Sequence, residues 1–227
     1  MASDFVSIHY RAVDRPADFR LVEELWRQVY VEELSWLGDA DAQVATDRYT
    51  PYSTHFLACG VDSQGNEQPI GTLRMVDYSS VGLPVEQFVE LPSSVRALKP
   101  VEIQRFMVPG RYRNQRFQRG APFGVAMGLI KACVQLCVYV QPRKACVVDC
   151  FIDFPLIKTY KTMGFEQVGP LFTDTELTSS TPSVALCVEN ARIRSCLSGR
   201  PSRLFRYLAE PDAAFQLGCP SEGLALA

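Results

Sequence analysis

The sequence predicts an α/β protein, an α+β sandwich in which helices flank one mixed central sheet. Apolar runs of strand length alternate along the chain with segments of helical periodicity, as in a sheet that is covered by helices. The turn residues Gly65 and Asn66 join two of these runs, which predicts a β-hairpin within the sheet. With 227 residues, the chain can form one sizeable domain with a full core.

In the first half of the chain, the apolar side chains of residues 19–33 recur on one face, which predicts a helix. Residues 35–50 lack a clear period and are rich in Asp and Ala, so we expect a short helix or a loop over a site there. Strands are predicted over residues 5–13, 54–62, 69–77 and 101–108.

In the second half, the basic stretch RYRNQRFQRGAPFG leads into a mostly buried helix over residues 125–140. We expect residues 1–190 to form the main domain. Residues 191–227 are expected to add one or two short helices outside the sheet and a loosely ordered tail. The other predicted elements are a strand over 144–151, a helix over 155–163, and strands over 165–168 and 183–188. The predicted order is therefore β-α-β-β-β-α-β-α-β-β.

Charge and hydropathy exclude several classes of function. The formal net charge is −2 and the pI is about 5.8, so no overall basic field favours binding to nucleic acid. The first residues, MASDFVSIHY, lack an apolar leader, and no apolar run approaches the length of a membrane span. We therefore expect a cytoplasmic protein without a membrane span.

Eight cysteines are scattered along the chain without a CxxC pair, so reduced thiols are expected rather than disulfides. Cys133 and Cys137 lie one helical turn apart, and Cys146 and Cys150 share a strand face, so four sulfurs could converge on zinc. Small buried apolar residues would have the same spacing, and this is the interpretation we adopt. No metal is predicted.

The basic loop before the helix at residue 125 has the features of an anion site. A helix N-terminus offers unpaired N–H groups and the positive end of its dipole, and glycine lets the backbone approach an anion closely. The loop adds the charges of Arg113, Arg116 and Arg119 beside Gly120. A phosphate or pyrophosphate is the predicted ligand, although the arginines could equally solubilise an ordinary loop.

Together with the downstream segment PLIKTYKTMGFEQVG, this strand–loop–helix unit resembles the GNAT acyltransferase superfamily. The resemblance implies a GNAT fold in which pantetheine binds against a splayed fourth strand and the following helix. The usual glycine signature for pyrophosphate is absent, because Phe117 and Pro122 occupy its positions around Gly120. That departure allows acyl-carrier protein, which has a single phosphodiester, as the donor in place of acyl-CoA.

Four further blocks narrow the family: VYVEELSW, DRYTPYSTHFLA, GTLRMV and EIQRF. In this order and spacing they resemble the N-acyl amino acid synthases and the related acyl-homoserine-lactone, or autoinducer, synthases. Two departures fall on the acceptor side, since Trp26 stands where the family has an arginine and Thr50 where it has a second acid. The resemblance implies acceptor-site roles for Tyr30, Trp36, Asp47, Arg74 and Arg105, and a place for Glu102 beside them. Asp47, Arg74 and Arg105 could equally form a purely structural ion cluster.

Glu102 and Arg105 are three residues apart, so on a regular strand they would point to opposite faces. Both can reach one site only if the strand bulges between them, and a bulge would free backbone N–H groups at Phe106, Met107 and Val108 for pantetheine or the thioester oxygen. We expect Glu102 to accept the proton of the amine, directly or through water. A Glu102 sealed in the core, away from any groove that could admit the donor, would argue against the enzymatic assignment.

The predicted reaction is direct transfer of a medium or long acyl chain from acyl-carrier protein to the amine of an amino acid, without an acyl-enzyme. The resemblance implies that Tyr160 protonates the leaving thiolate, although a packing tyrosine is an alternative. His55 is interpreted as a core residue. The other candidate functions are lactone synthesis from S-adenosylmethionine and acyl-thioester binding without catalysis. No permanently bound cofactor is expected.

Overall fold

The centre of the fold is a mixed sheet, which we describe from a computed structural model covering residues 5–38, 47–175, 177, 181–199 and 202–217. The strands are β1 (Phe5–Ala12), β2 (Ser53–Asp62), β3 (Glu67–Val76), β4 (Val101–Met107), β5 (Ala145–Phe151), β6 (Glu166–Phe172), β7 (Ser183–Glu189) and β8 (Phe215–Gln216). Within the described part of the chain, these eight strands lie in the order β6-β7-β5-β4-β3-β2-β1-β8. The predicted mixed sheet is confirmed, and β6 ends four residues later than predicted.

Strands β1 to β4 form an antiparallel meander, whereas β4 and β5 run parallel. The hairpin between β2 and β3 turns at Gly65, whose φ of +86° suits a residue without a side chain. Asp62 stabilises this turn by accepting hydrogen bonds from the backbone N–H groups of Gln64 and Asn66. The predicted hairpin is therefore present, and its turn residues explain where the chain reverses.

Helices cover both faces of the sheet. They are α1 (Pro16–Trp26), α2 (Ser93–Ala97), α3 (Gly110–Arg113), α4 (Val125–Val134), α5 (Ile157–Thr162), α6 (Asn190–Gly199) and α7 (Arg203–Ala209). Val125 and Leu129 of α4 are fully buried in the main core, as predicted for this apolar helix. On the opposite face, Val22 and Leu25 of α1 pack against Leu57 of β2.

Two helices end in π-helical stretches that the periodicity did not predict. The stretch Arg27–Glu33 continues α1, and Gln135–Val140 continues α4. The N–H of Leu34 donates to the carbonyl of Val29 at 3.0 Å, which is the five-residue spacing of a π-turn. Such widened turns change the direction in which the following side chains project, and π-turns often occur at functional sites.

The C-terminal segment packs on the same core as the rest of the chain. Two short helices, α6 and α7, are present as expected, and Phe205 and Leu208 of α7 are buried in the main core. The short strand β8 was not predicted; it pairs in parallel with β1 and so extends the sheet, where Phe215 stacks on Tyr10 at 4.5 Å. Phe215 and Gln216, which fall in the tail that was expected to be loosely ordered, therefore belong to the sheet.

The zinc site that four of the cysteines could have formed is not present in the part of the chain that the structure describes. Among the described residues, no group of three or more His, Cys, Asp or Glu side chains is placed to hold a metal ion. Cys133, Cys137, Cys146 and Cys150 are buried free thiols. Nor does any described helix combine the length and apolar character needed to cross a membrane.

Candidate active site

A groove of about 540 Å³ opens where β4 and β5 separate. The two strands pair only over residues 101–103 of β4 and residues 146–148 of β5. Beyond these pairs, the diverging strands line the groove with Gln104, Arg105 and Phe106 from β4 and with Asp149, Cys150 and Phe151 from β5. The splay of the fourth strand, which the sequence predicted, is therefore what forms the groove.

The fourth strand bulges at Arg105. Arg74 of β3 lies opposite Gln104 and Thr72 lies opposite Met107, so one residue of β3 faces two residues of β4. Arg105 itself has a φ of +49°, a left-handed conformation that residues other than glycine rarely adopt. The predicted bulge is thus present, and it turns the Arg105 side chain toward the groove.

Asp47 links two guanidinium groups at one end of the groove. Its Oδ2 accepts a hydrogen bond from Arg74 at 2.8 Å and another from Arg105 at 3.0 Å. Although burial disfavours the charged form, the two arginines lower the pKa of Asp47. Arg105 also lies over the ring of Trp26 at 4.8 Å. Behind the cluster, burial and then the charges of Arg74 and Arg105 lower the pKa of His55 to about 3, as fits a core histidine.

Arg74 does not reach the groove. Its side chain is buried and forms an ion pair with Asp47, whereas Asp47 and Arg105 line the groove directly. The structure therefore shows the ion cluster that was one of our two alternatives for these residues. It leaves Arg105 as the guanidinium placed to meet a ligand, with Arg74 as its support.

Aromatic rings form the wall next to this cluster. Tyr30, which lies in the π-helical stretch, stacks on Trp36 at 5.7 Å and meets Trp26 edge-on at 4.5 Å. Trp36 in turn contacts Phe151 of β5 at 4.7 Å, so the rings join the helix to the far side of the groove. The π-turns position Tyr30 here. Tyr30 and Trp36 thus line the groove.

Glu102 is sealed away from the groove, and its expected role as the direct proton acceptor was wrong. Its side chain is fully buried, and its Oε2 accepts a hydrogen bond from the backbone N–H of Val85 at 2.9 Å. Burial, and then the negative charge of Asp149, raise the pKa of Glu102 well above its ordinary value. A carboxyl group that is protonated and enclosed cannot take a proton from an amine in the groove.

Several groove residues were not proposed from the sequence. They include Gln104, Phe154 and two carboxylates, Asp149 and Asp174. A signal for Asp149 was available, because it is the single charged residue in the apolar strand ACVVDCF. Asp174 follows β6 in a polar stretch where no pattern distinguishes it from its neighbours.

Tyr160 of α5 lies between the groove and a small apolar cavity. It lines the groove, and with Ile103 it also lines a cavity of about 20 Å³ whose walls include Cys133 and Cys137 of the α4 region. Burial raises the pKa of Tyr160 well above its ordinary value, which keeps the hydroxyl protonated. At this position the Tyr160 hydroxyl can donate a proton to a leaving thiolate, and the ring can form a wall beside an acyl chain.

The residues after the bulge are divided between the groove and the core. Phe106 lines the groove and contacts Phe154 at 6.0 Å. Met107 packs into the cluster beneath Tyr30, and Val108 is buried in the main core. The side chains of Met107 and Val108 are thus structural, and a role in binding the donor would fall to their backbone groups.

The first turn after β4 is held by a carboxylate of the protein itself. Glu33 accepts hydrogen bonds from the backbone N–H of Gly110 at 2.9 and 3.0 Å and from the guanidinium of Arg113 at 2.8 Å. Arg113 also donates to the carbonyl of Val108 at 2.7 Å. Arg113, predicted to bind a phosphate, is therefore engaged within the fold.

The other predicted phosphate-binding residues lie further along the loop. Arg116 and Arg119 are exposed, whereas Gly120 packs against β1. A Cβ at Gly120 would overlap the carbonyl oxygen of Ile8, and the Gly120 carbonyl accepts a hydrogen bond from Tyr207 at 3.0 Å. The structure thus gives Gly120 a packing role that requires the absence of a side chain.

The comparisons with known proteins agree with this geometry. Residues 25–121 match the family described as "Acetyltransferase (GNAT) domain". Residues 25–121 are thus similar to a GNAT acetyltransferase domain. This match confirms the predicted enzyme class, an acyltransferase, and the mixed sheet with its flanking helices is the GNAT fold. No curated protein matches the chain.

Solved structures with the GNAT fold include enzymes of the types that the sequence blocks resemble. FeeM, an N-acyl amino acid synthase from uncultured soil microbes, is 17% identical, with a TM-score of 0.60 over 83% of this chain and 94% of FeeM. BjaI, a CoA-dependent acyl-homoserine lactone synthase, is 13% identical, with a TM-score of 0.56 over 93% of this chain and 94% of BjaI. An acyl-CoA N-acyltransferase from Pseudomonas aeruginosa is 16% identical, with a TM-score of 0.51 over 80% of this chain and 99% of that protein. At these identities the likeness concerns the fold.

Proposed function

We propose that the GNAT domain transfers a medium or long acyl chain from a phosphopantetheine thioester to the amine of an amino acid. One observation carries the proposal. The groove between β4 and β5 is lined by a guanidinium, by aromatic rings and by a buried tyrosine that also borders an apolar cavity. An acceptor with a carboxylate would bind at the guanidinium and the rings, which we call the acceptor end, and a donor with an apolar chain would bind beside the tyrosine.

The acceptor end suits an amino acid. Arg105 lines the groove with a guanidinium that can bind a carboxylate through two parallel hydrogen bonds. Tyr30, Trp36 and Phe151 would enclose the rest of the acceptor with rigid apolar surface. FeeM, whose fold this chain shares, is an N-acyl amino acid synthase, which supports the same class of acceptor here.

The donor would lie in the gap between β4 and β5. Their ladder ends at Ile103, so backbone groups of the following residues are not taken up by pairing between these two strands. These groups can hydrogen-bond the amides of pantetheine and the thioester oxygen. The cavity behind Tyr160 and Ile103 is far smaller than a medium acyl chain, so binding the chain would require these two side chains to move.

Acyl-carrier protein is the donor that the loop after β4 favours. With Arg113 engaged by Glu33, the exposed Arg116 and Arg119 are the predicted phosphate ligands that remain available, and they suit a single phosphodiester. The same arginines would attract an acidic carrier. Acyl-CoA is the alternative donor, and the reaction requires no permanently bound cofactor.

The reaction is a direct attack. The acceptor ammonium loses a proton, and the amine nitrogen forms a bond to the thioester carbonyl carbon. The oxyanion is held by backbone N–H groups, and its collapse breaks the carbon–sulfur bond. The thiolate gains a proton, for which Tyr160, which lines the groove, is the proposed donor. The products are an N-acyl amino acid and a free phosphopantetheine thiol.

The test is a thiol-release assay with acyl-carrier thioesters and acyl-CoAs of several chain lengths, each offered a panel of amino acids. We expect release that depends on an amino acid, with a matching N-acyl amino acid found by mass spectrometry. Release without an amide product, or no release above the rate without protein, would refute the proposal.

Acyl-homoserine-lactone synthesis is the second candidate. The observation that favours it is the likeness to BjaI, which extends over 93% of this chain compared with 83% for FeeM. In that reaction the acceptor would be S-adenosylmethionine, and the product would be a lactone. Offering this acceptor in the same assay separates the candidates, since only lactone synthesis releases methylthioadenosine.

A further inference from the structure

We propose that Asp149 is the proton acceptor for the attacking amine and that Glu102 is a positioning residue, which holds Asp149 from behind as a buried neutral acid. This inference deepens the proposed function and rests on it. It assigns the reacting carboxylate to β5 in place of β4.

Asp149 is placed at the surface of the groove. It lies near the end of β5, just beyond the last pair of the ladder with β4, where the strands have separated. Val147 packs in the smaller core on the helix α1 side of the sheet, so the alternation of the strand brings Asp149 to that same side. Its carboxylate therefore lies in the gap that the thioester would enter, on the side where the acceptor binds.

Glu102 lies directly behind it. In the parallel ladder, Glu102 is the partner of Val147, so Glu102 and Asp149 are neighbours on one face of the sheet. The Oε2 of Glu102 accepts from the N–H of Val85, and its Oε1 is buried with no hydrogen-bond partner among the described residues. Burial, and then the charge of Asp149, keep Glu102 protonated by raising its pKa. In the protonated form, Oε1 of Glu102 carries an O–H, and the carboxylate of Asp149 is the acceptor that would hydrogen-bond it.

Asp47 and His55 are less suited to accept the proton. Asp47 is held by Arg74 and Arg105, which lower its pKa. His55 is buried outside the groove. Among the described residues, Glu102, Tyr30, Cys150 and Tyr160 have pKa values that burial raises, and the charge of Asp149 raises each of them further.

The protons balance in this scheme. The acceptor ammonium gives one proton to Asp149, and the free amine attacks the thioester carbon. The ammonium that forms in the tetrahedral intermediate gives a second proton, which leaves with the thiolate as the carbon–sulfur bond breaks. Asp149 then returns its proton to water, while Glu102 keeps its own proton throughout.

The first test uses Asp149→Asn with two nucleophiles. For an amino acid, which is an ammonium at neutral pH, we expect kcat/KM to fall by about 100-fold or more because the base is lost. Hydroxylamine is largely unprotonated at neutral pH, so its reaction should change less than threefold. Asp77→Asn is the matched control, since Asp77 pairs with Arg143 away from the groove. An equal loss with both nucleophiles, or no loss with either, would overturn the inference.

The second test addresses Glu102 through the pH profile of kcat/KM. Glu102→Gln retains an N–H donor to Asp149, so kcat/KM should fall at the same acidic pH as in the wild type. Glu102→Leu removes the donor, so kcat/KM should already fall at a higher pH. Identical profiles for both variants would contradict the positioning role. A wild-type protein that acylates neither nucleophile would instead refute the proposed function itself, so the two failures are distinguishable.

Discussion

The carboxylate of Glu33 accepts hydrogen bonds from the backbone N–H of Gly110 through both of its oxygens, at 2.9 and 3.0 Å. Glu33 ends the π-helical stretch that carries Tyr30, and Gly110 begins the turn after β4. This contact joins the wall of the acceptor end to the loop that we propose for the donor phosphate. A movement of the Tyr30 wall or of the loop after β4 is therefore transmitted to the other through the side chain of Glu33.

We expect Glu33→Gln to free the guanidinium of Arg113 while keeping one acceptor for Gly110. The KM for the phosphopantetheine donor should fall several-fold, because a further cation becomes available to its phosphate. The free energy of unfolding should drop by about 1 kcal/mol or less, as is usual for partly exposed ion pairs. Glu32→Gln is the matched control, since Glu32 pairs with Arg27 on the surface. An unchanged donor KM would show that Arg113 does not meet the phosphate.

Arg105→Gln tests the acceptor end. Loss of the guanidinium should raise the KM for an amino acid by about 10- to 100-fold, which corresponds to ~1.5–3 kcal/mol for a charged hydrogen bond. The KM for the decarboxylated amine of the same side chain should hardly change. Arg143→Gln, outside the groove, serves as the control. If both acceptors lose affinity equally, Arg105 supports the fold of the site and does not bind the carboxylate.

The raised pKa of Glu102 gives the stability of the protein a defined pH dependence. Because the folded state binds this proton more tightly than the unfolded chain, stability is lost as the pH rises above the ordinary glutamate value. Glu102→Gln removes the titration, so the variant should gain stability relative to the wild type as the pH rises above the ordinary glutamate value. Urea midpoints measured across this range would check the trend. A constant difference would mean that Glu102 is ionised in the folded protein.

Tyr160→Phe tests the proposed proton donor to sulfur. We expect kcat with an alkyl thioester to fall by about 100-fold, because the leaving thiolate then departs without a proton. An aryl thioester, whose thiolate is a good leaving group unaided, should react at nearly the wild-type rate. Tyr112→Phe, a buried tyrosine outside the groove, is the control. Equal losses with both donors would indicate that Tyr160 only packs.

The sequence predicted the parts of the fold that local pattern determines. Apolar alternation located seven of the strands, and Gly65 and Asn66 located the hairpin turn. The spacing of Glu102 and Arg105 predicted the bulge, because two residues with related roles could not otherwise share a face. The structure confirms the bulge at Arg105 but shows that only Arg105 reaches the groove.

The errors share a physical cause, which is that burial depends on the whole fold. Nothing in the segment EIQRF shows that Val85 and its neighbours cover Glu102. Asp149 becomes a groove residue only because β5 diverges from β4, a property of the sheet and not of either strand. The two-residue strand β8 is too short to give a periodic signal, and its pairing with β1 depends on where α7 ends.

The separation of β4 from β5 also bears on how the domain moves. Three strands lie on one side of the gap and five on the other, and three residue pairs join them. The junction can thus act as a hinge between the three-stranded and the five-stranded part of the sheet. An acyl-pantetheine arm bound in the gap would fix the angle between these two parts. Hydrogen exchange at the junction should then slow when the arm is bound and quicken when the product leaves.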